Sequence, residues 1–415
     1  MPDIRPFRGF LYNPDKVKNI ARVVTEPYDV ISPPQQKLYY KSHPYNIIRL
    51  ILGKRYPTDN NKNNQYTRAR KFFLDWQKRD ILLRDKKENI YIYTQSFSYN
   101  NRIRTRTGFI VLLKLEDCSK NTILPHENTD SKAVEDRLKL LKAVEANLSP
   151  IFALFCDSQG RVNRILSQYK SRHPPCIVIR KDRILHRLWR MGDRKNISII
   201  KSLLKGRQIF IADGHHRYEA ALNYKMQMQK KDRYIRSSAS FNYIMTYLVA
   251  TTDPGLTILP THRVIRVVGN FKLAEIVKKL KRTFQIYKFY SAAGLFSYMD
   301  TAGARCVFGA YFGRDRFYGL ELKDAGCKDL DVVILRNLII EPISSLSPFE
   351  KATYYTRDAQ EAINLVKRDR CRIAFFLKPA SIKQVKRIAS AGQRMPYKST
   401  YFYPKLLTGL VMNAF

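Results

Sequence analysis

The sequence predicts a mixed fold, between α/β and α+β, and three observations carry that prediction. Short apolar or β-branched runs alternate with segments of helical spacing along the whole chain. Gly/Ser linkers, internal repeats and low-complexity stretches are missing, so the chain reads as continuous globular structure. With 415 residues, 45% of them hydrophobic and 12% aromatic, it is long enough for about two or three domains and can bury a substantial core.

Taken in order, residues 46–52, 89–93, 107–113, 208–212 and 243–249 read as strands, because each is a short apolar run ended by turn or polar residues. Helices are predicted at about 62–79, 131–146, 194–205, 214–229, 271–283, 330–340 and 358–368. In the second of these, Val134, Leu138 and Leu141 recur at helical spacing and residues 129–131 supply capping side chains. A turn at Asp253-Pro254-Gly255 divides the chain into an N-terminal region, 1–253, and a C-terminal α+β region, 254–415. The aromatic- and proline-rich run 395–406 is predicted to pack back onto the body.

Lys and Arg number 75 against 35 Asp and Glu, a formal charge of +40. That balance favours anionic partners: nucleotides, nucleic acid or an acidic surface. The basic residues are scattered among aromatics and aliphatics, the pattern of solvated faces of folded elements. No stretch approaches about 18 consecutive apolar residues and no apolar leader follows the first charges, so the expectation is a cytoplasmic protein without a membrane partner. The six cysteines form no Cys-x-x-Cys pair, which argues against a disulfide framework or zinc knuckle. The signatures of P-loop enzymes, protein kinases, α/β-hydrolases and zinc proteases are also missing.

The chemistry concentrates in residues 208–222. A strand stops at Asp213-Gly214 and a helix begins at once, with Asp213 as N-cap candidate and Gly214 free to take an unusual backbone angle. The first amides of a helix have no intrahelical acceptors, and its dipole adds partial positive charge. An anion can therefore sit at the turn, where His215, His216 and Arg217 reach it. A metal reading of Asp213, His216 and Glu219 needs ligands from elsewhere. A bland reading has the histidines capping the turn and pairing with Glu219. Leu124-Pro125-His126-Glu127-Asn128-Thr129 is a second polar concentration, in a loop before a helix, which makes His126 and Glu127 pocket candidates.

The run Gly214-His215-His216-Arg217 resembles the phosphate-binding motif of the ParB/sulfiredoxin superfamily. Over most of its length the chain is similar to the family catalogued as domain of unknown function ten-fifteen, through Ile4–Gly9, Pro27–Ser32, Asn46–Leu50, Asn147–Phe152, Ile211–Ala220, Leu259–Arg263 and Lys398–Lys405. The superfamily resemblance implies a ParB/sulfiredoxin-like nucleotide-binding core with additional α+β elements. His215 stands where sulfiredoxins carry their catalytic cysteine, and no helix-turn-helix reader accompanies the motif as it does in ParB-type proteins. Asp213-Gly214-His215 is most similar to the branch of free-serine kinases, which take a base from an N-terminal carboxylate.

That resemblance implies a kinase using ATP or ADP with Mg²⁺, a small hydroxyl-bearing metabolite as acceptor, and L-serine as the favoured one. Gly214, His215, His216 and Arg217 would bind the nucleotide. Asp213 would hold the metal and contribute to catalysis, with Asp29 as the first candidate base and Glu26 the second, in a loop constrained by Pro27. Arg8, Arg49 and Arg263, with His126 and Glu127, are the candidates for acceptor binding. Two rivals stand beside this reading: a nucleotide-binding switch or scaffold without turnover, and a nucleic-acid binder or nuclease.

Overall fold

The computed structural model describes residues 2–117, 120–231, 239–267, 272–303, 305–324, 329–344, 353–369, 372–396 and 398–415. It is mixed α/β and divides into two units, one of Met1–Thr257 with Pro404–Phe415 and one of Ile258–Tyr403. The expected division at 253/254 differs from this one chiefly in the last residues. They belong to the first unit because Asn413 and Ala414 pair with Asn147 and Ala146.

The first unit is built on a nine-stranded sheet. Its strands are β1 (Ile4–Arg5), β2 (Ile90–Tyr99), β3 (Arg102–Lys114), β4 (Ile123–Pro125), β5 (Ile151–Phe155), β6 (Ile177–Lys181), β7 (Ile184–Met191), β8 (Ile209–Asp213) and β9 (Tyr243–Ala250). The order is β4-β8-β5-β9-β3-β2-β7-β6, with β1 paired to β3. Only β4–β8 and β5–β9 are parallel pairs. Period-2 alternation sorts the side chains into two buried faces. Ile90, Ile92, Phe109, Val111, Ile151, Ile209 and Ile211 form one core with residues of three helices. Those helices are Arg161–Arg172, Arg194–Leu204 and His215–Lys231. The opposite face carries Tyr91, Tyr93, Gln95, Arg106, Phe152 and Tyr247, all buried.

Residues 46–52, predicted as a strand, fold instead as a short helix, α1 (Ile48–Ile51). The buried Asn46 side chain accepts from the Ile48 amide at 2.9 Å and turns the chain, and a short apolar run has no periodicity to overrule it. The helix predicted at 131–146 is α2 (Ser131–Val144), capped by Asp130, whose carboxylate accepts from the Ala133 amide. The helix after Gly214 is α3 (His215–Lys231).

The second unit has a six-stranded sheet, antiparallel throughout: β10 (His262–Arg266), β11 (Phe284–Phe289), β12 (Val307–Tyr311), β13 (Phe317–Leu322), β14 (Tyr354–Thr356) and β15 (Arg372–Phe376), in the order β11-β13-β12-β15-β10-β14. Leu295, Met299, Ala362, Ile363 and Val366 pack on it from two helices. Among the described residues no helix is long and apolar enough to cross a membrane. Cys156 and Cys176 are free thiols and the Cys306 thiol donates to Asp331 Oδ1 at 3.7 Å, whereas Cys118, Cys327 and Cys371 lie outside the described residues.

Two buried histidines predict an acid response. Burial lowers His186 to about 3 and His262 to about 4, so the unfolded chain takes up both protons near its ordinary value of about 6.5 while the folded protein does not. Each contribution is present above that value and is lost as pH falls, by about 1.4 kcal/mol per pH unit. Asp253 has the opposite sign: burial raises it to about 6, so the folded state protonates first and gains stability on acidification. Thermal denaturation between pH 7 and 4 is expected to show a falling Tm, and Asp253→Asn should steepen that fall. A Tm that holds or rises in the wild type would contradict the account.

Candidate functional site

The site starts with an irregularity in β8. Ile211 pairs with Ala153 but Asp213 pairs with Phe152, so Ala212 is one residue more than its partner strand supplies. Strict alternation would place Asp213 on the helix-covered face with Ile209 and Ile211. The bulge re-aims its carboxylate to the face that holds Arg106 and Phe152.

There Asp213 meets two cations. Its Oδ1 accepts from Lys405 Nζ at 2.7 Å and its Oδ2 from Arg217 Nη2 at 3.2 Å. The three side chains are 16%, 8% and 12% exposed, so the cluster is nearly dry. Burial pushes the Asp213 carboxyl up, but Lys405 and Arg217, with Arg106 further off, outweigh it and hold it below the usual carboxylate range. Arg217 Nη1 also donates to the Pro150 carbonyl. Its Nε is buried without a protein partner among the described residues.

Gly214 connects this cluster to α3. Its φ is +92°, and a Cβ there would lie 2.9 Å from an Ile151 methyl and 3.0 Å from Arg217 Nη2. Only glycine permits both the backbone angle and the guanidinium folded over it. The helix is then pinned from behind by the Tyr218 hydroxyl, which donates to the Glu116 carbonyl at 2.6 Å.

The two histidines face the loop before α2. His215 Nε2 accepts from the His126 amide at 3.3 Å, and the two rings meet edge to face at 4.7 Å. His126 itself is buried, its Nδ1 donating to the Ile211 carbonyl at 2.7 Å. His216 Nε2 accepts from the Asp130 amide at 3.0 Å. Burial lowers the His216 pKa, aided by Arg217, although Asp29, Asp130 and Glu219 pull the other way. A neutral ring that accepts at Nε2 carries its proton on Nδ1. Glu219 accepts from the Thr129 hydroxyl at 2.6 Å, tying the loop to α3.

The Asp29 carboxylate thus lies within electrostatic reach of His216. Its loop is anchored twice: Tyr28 stacks under the Arg137 guanidinium of α2 at 3.8 Å, and Thr25 pairs with Thr408 through amide–carbonyl bonds of 3.2 and 2.8 Å. Asp29 is exposed and Glu26 half-buried. A small cavity of about 50 Å³ is lined by Arg137, Asn147, Ser149 and Arg217 among others, placing the guanidiniums of α2 and α3 around one space.

The chain matches the family model "Protein of unknown function (DUF1015)" over residues 4–340. It belongs to that family. No curated protein matches the sequence. Among solved structures the chain is similar to a free serine kinase mutant in complex with ADP, at 12% identity and a TM-score of 0.38, over 71% of this chain and 87% of that one. It is also similar to a conserved hypothetical protein from Pyrococcus furiosus, at 11% identity and 0.36, over 72% and 92%. A third is SbnI with a C-terminal truncation from Staphylococcus aureus, at 10% identity and 0.37, over 72% and 85%.

The structure brings together Asp213, Gly214, His215, His216, Arg217, His126 and Asp29. Glu127 is half-buried in the same loop as His126. The other arginines are engaged locally. Arg8 is exposed and donates to the Asp85 carbonyl at 2.8 Å. Arg49 clamps the turn before α1, donating to the Pro44 and Tyr40 carbonyls at 2.6 and 2.9 Å. Arg263 belongs to the second unit, buried beside the Tyr355 ring.

Both oxygens of Asp213 turn to Lys405 and Arg217. For that reason its donor set does not fit Mg²⁺, since a hard cation would compete with two resident cations for the same carboxylate. Among the described residues no group of three His, Cys, Asp or Glu gathers around a common point. Sequence reasoning passed over Lys405, Arg106 and Arg137 as site residues. The signal for Lys405 was a lone charge in an otherwise apolar run, Pro404-Lys405-Leu406-Leu407.

Proposed function

We propose that this chain is a nucleotide-dependent small-molecule kinase that transfers a phosphoryl group to a hydroxyl acceptor, free L-serine being favoured. The observation that carries the reading is the cation-lined first turn of α3, with the Asp29 carboxylate within electrostatic reach of His216 on that turn. The motif Gly214-His215-His216-Arg217, similar to the ParB/sulfiredoxin phosphate-binding motif, supports it. Nucleotide phosphates would lie at the first turn of α3, held by its amides and by Arg217. The acceptor oxygen attacks the terminal phosphorus and forms the new P–O bond as its proton passes to the Asp29 carboxylate. The bridging P–O bond breaks, and ATP leaves as ADP or ADP as AMP. His216, whose Nε2 accepts from the Asp130 amide, keeps its ring proton on Nδ1, which suits it to orient rather than to take the proton.

Incubation with ATP or ADP, magnesium and a panel of amino acids and sugars tests this reading. A phosphorylated product is expected, with serine the best acceptor. Asp29→Asn should retain nucleotide binding and lose on the order of a hundredfold or more in turnover. Absence of product from every acceptor would sink the kinase reading. Nucleotide binding without turnover, lost in Arg217→Ala, would point to a switch instead.

A further inference from the structure

We infer that Lys405 is a phosphate-binding residue of this site, delivered by the C-terminal segment, and that Asp213 serves as its holder. The inference rests on the nucleotide reading above and deepens it. Residues 404–415 return to the first unit along the face of the large sheet that carries Arg106 and Gln95. Three sets of main-chain bonds seat this strap. Thr408 pairs with Thr25, Met412 with Phe10, and Asn413–Ala414 with Ala146–Asn147.

The grip is tightest at the lysine. Arg106, fully buried on β3, donates to the Pro404 carbonyl, and Gln95 Nε2 on β2 donates to the Lys405 carbonyl at 2.8 Å. The same Arg106 Nη2 also donates to Gln95 Oε1, so the two clamps are joined. Two consecutive carbonyls held from one rigid sheet fix the lysine backbone, and Asp213 fixes the far end of its side chain. An ammonium restrained at both ends is preorganised for an incoming anion, with little side-chain freedom left to lose.

Charge counting points the same way. Lys405 and Arg217 share the single carboxylate of Asp213, two cations on one anion in a water-poor cluster. Lys405 and Arg217 flank that carboxylate at the foot of α3, where the helix dipole adds to their field. A phosphate arriving at the turn would neutralise the excess. Asp213 then keeps the two cations apart and aimed, a role that uses both of its oxygens as they stand. Because the strap also pairs with Thr25, next to Glu26, one segment positions both the cation and the acidic loop.

The test compares ADP with adenosine, which lacks phosphates, by calorimetric titration against wild type, Lys405→Met, Lys405→Arg and Arg217→Ala, with Tm measured for each. Lys405→Met is expected to weaken ADP about ten- to a hundredfold, the worth of a charge-assisted hydrogen bond, and to leave adenosine unchanged. Lys405→Arg should restore most of the ADP affinity. Should Lys405→Met fail to fold with Asp213 Oδ1 left without its donor, the double variant Asp213→Asn/Lys405→Met removes the buried charge and is expected to show the same selective loss. Equal loss of ADP and adenosine would make Lys405 a structural residue and overturn the inference. ADP affinity retained in Lys405→Met but lost in Arg217→Ala would overturn it too, with the nucleotide reading intact. A wild type that binds neither ADP nor ATP would overturn that reading itself.

Discussion

Gly214→Ala is expected to disable the site while leaving the fold largely in place. The residue sits at φ +92°, where an L side chain costs about 1–3 kcal/mol of backbone strain. The added methyl would lie 2.9 Å from an Ile151 methyl and 3.0 Å from Arg217 Nη2. Of these neighbours the guanidinium end is the more mobile, so Arg217 gives way. It then leaves Asp213 Oδ2, and the phosphate-facing cation is lost with it. Stability should fall by about 2–4 kcal/mol, and ADP affinity by on the order of a hundredfold, as for removal of a bidentate arginine. Calorimetric titration with a matched thermal melt checks both. Unchanged ADP affinity in a folded Gly214→Ala protein would show that the turn is not the phosphate site.

Arg106→Met is expected to produce the largest loss of stability among the single changes considered. The guanidinium is completely buried, lies 4.7 Å from the centre of the Phe152 ring, and holds the Gln95 side chain and the Pro404 carbonyl. Methionine can replace the packing of the stem but none of the donors. Two acceptors would then be buried unpaired, at about 1–3 kcal/mol each. A combined loss of about 2–5 kcal/mol is expected from chemical denaturation. The strap should also become the first segment to exchange its amide hydrogens, because the Pro404 carbonyl has lost its clamp. If Arg106→Met melts like wild type and the amides of 405–412 stay protected, the arginine does not seat the strap.

Much of the local structure is legible in the sequence. The strand ending at Asp213, the glycine after it and the helix from His215 follow from an apolar run, a breaker and a polar first turn, all signals carried by neighbouring residues. The strand Tyr243–Ala250 is equally plain, whereas of the long strands Ile90–Tyr99 and Arg102–Lys114 only the apolar parts, 89–93 and 107–113, are legible. The misread element, residues 46–52, is short enough that an apolar run suits a strand or a buried helix alike. The outcome turned on one side-chain hydrogen bond from Asn46.

The site divides along the same line. The first turn of α3 could be read because its residues are consecutive, and a helix start exposes its amides wherever it occurs. The environment of Asp213 could not, because it depends on a bulge at Ala212 and on an ion pair to a lysine 192 residues away. The three arginines expected to bind the acceptor show the converse. Arg8 and Arg49 satisfy main-chain carbonyls and Arg263 lies in the other unit, whereas Arg106 and Arg137 sit in segments with no motif to mark them.

By itself, then, the sequence determined the alternation of strands and helices, the turn at Gly214 and the helix start at His215. These are set by interactions within a few residues, which periodicity and composition record. Only the tertiary structure decided that Lys405 closes on Asp213 beside Arg217, that Asp29 lies within electrostatic reach of His216, and that residues 404–415 join the first unit. Those relations join segments far apart in sequence, and their geometry is fixed by sheet register and chain return rather than by any local pattern.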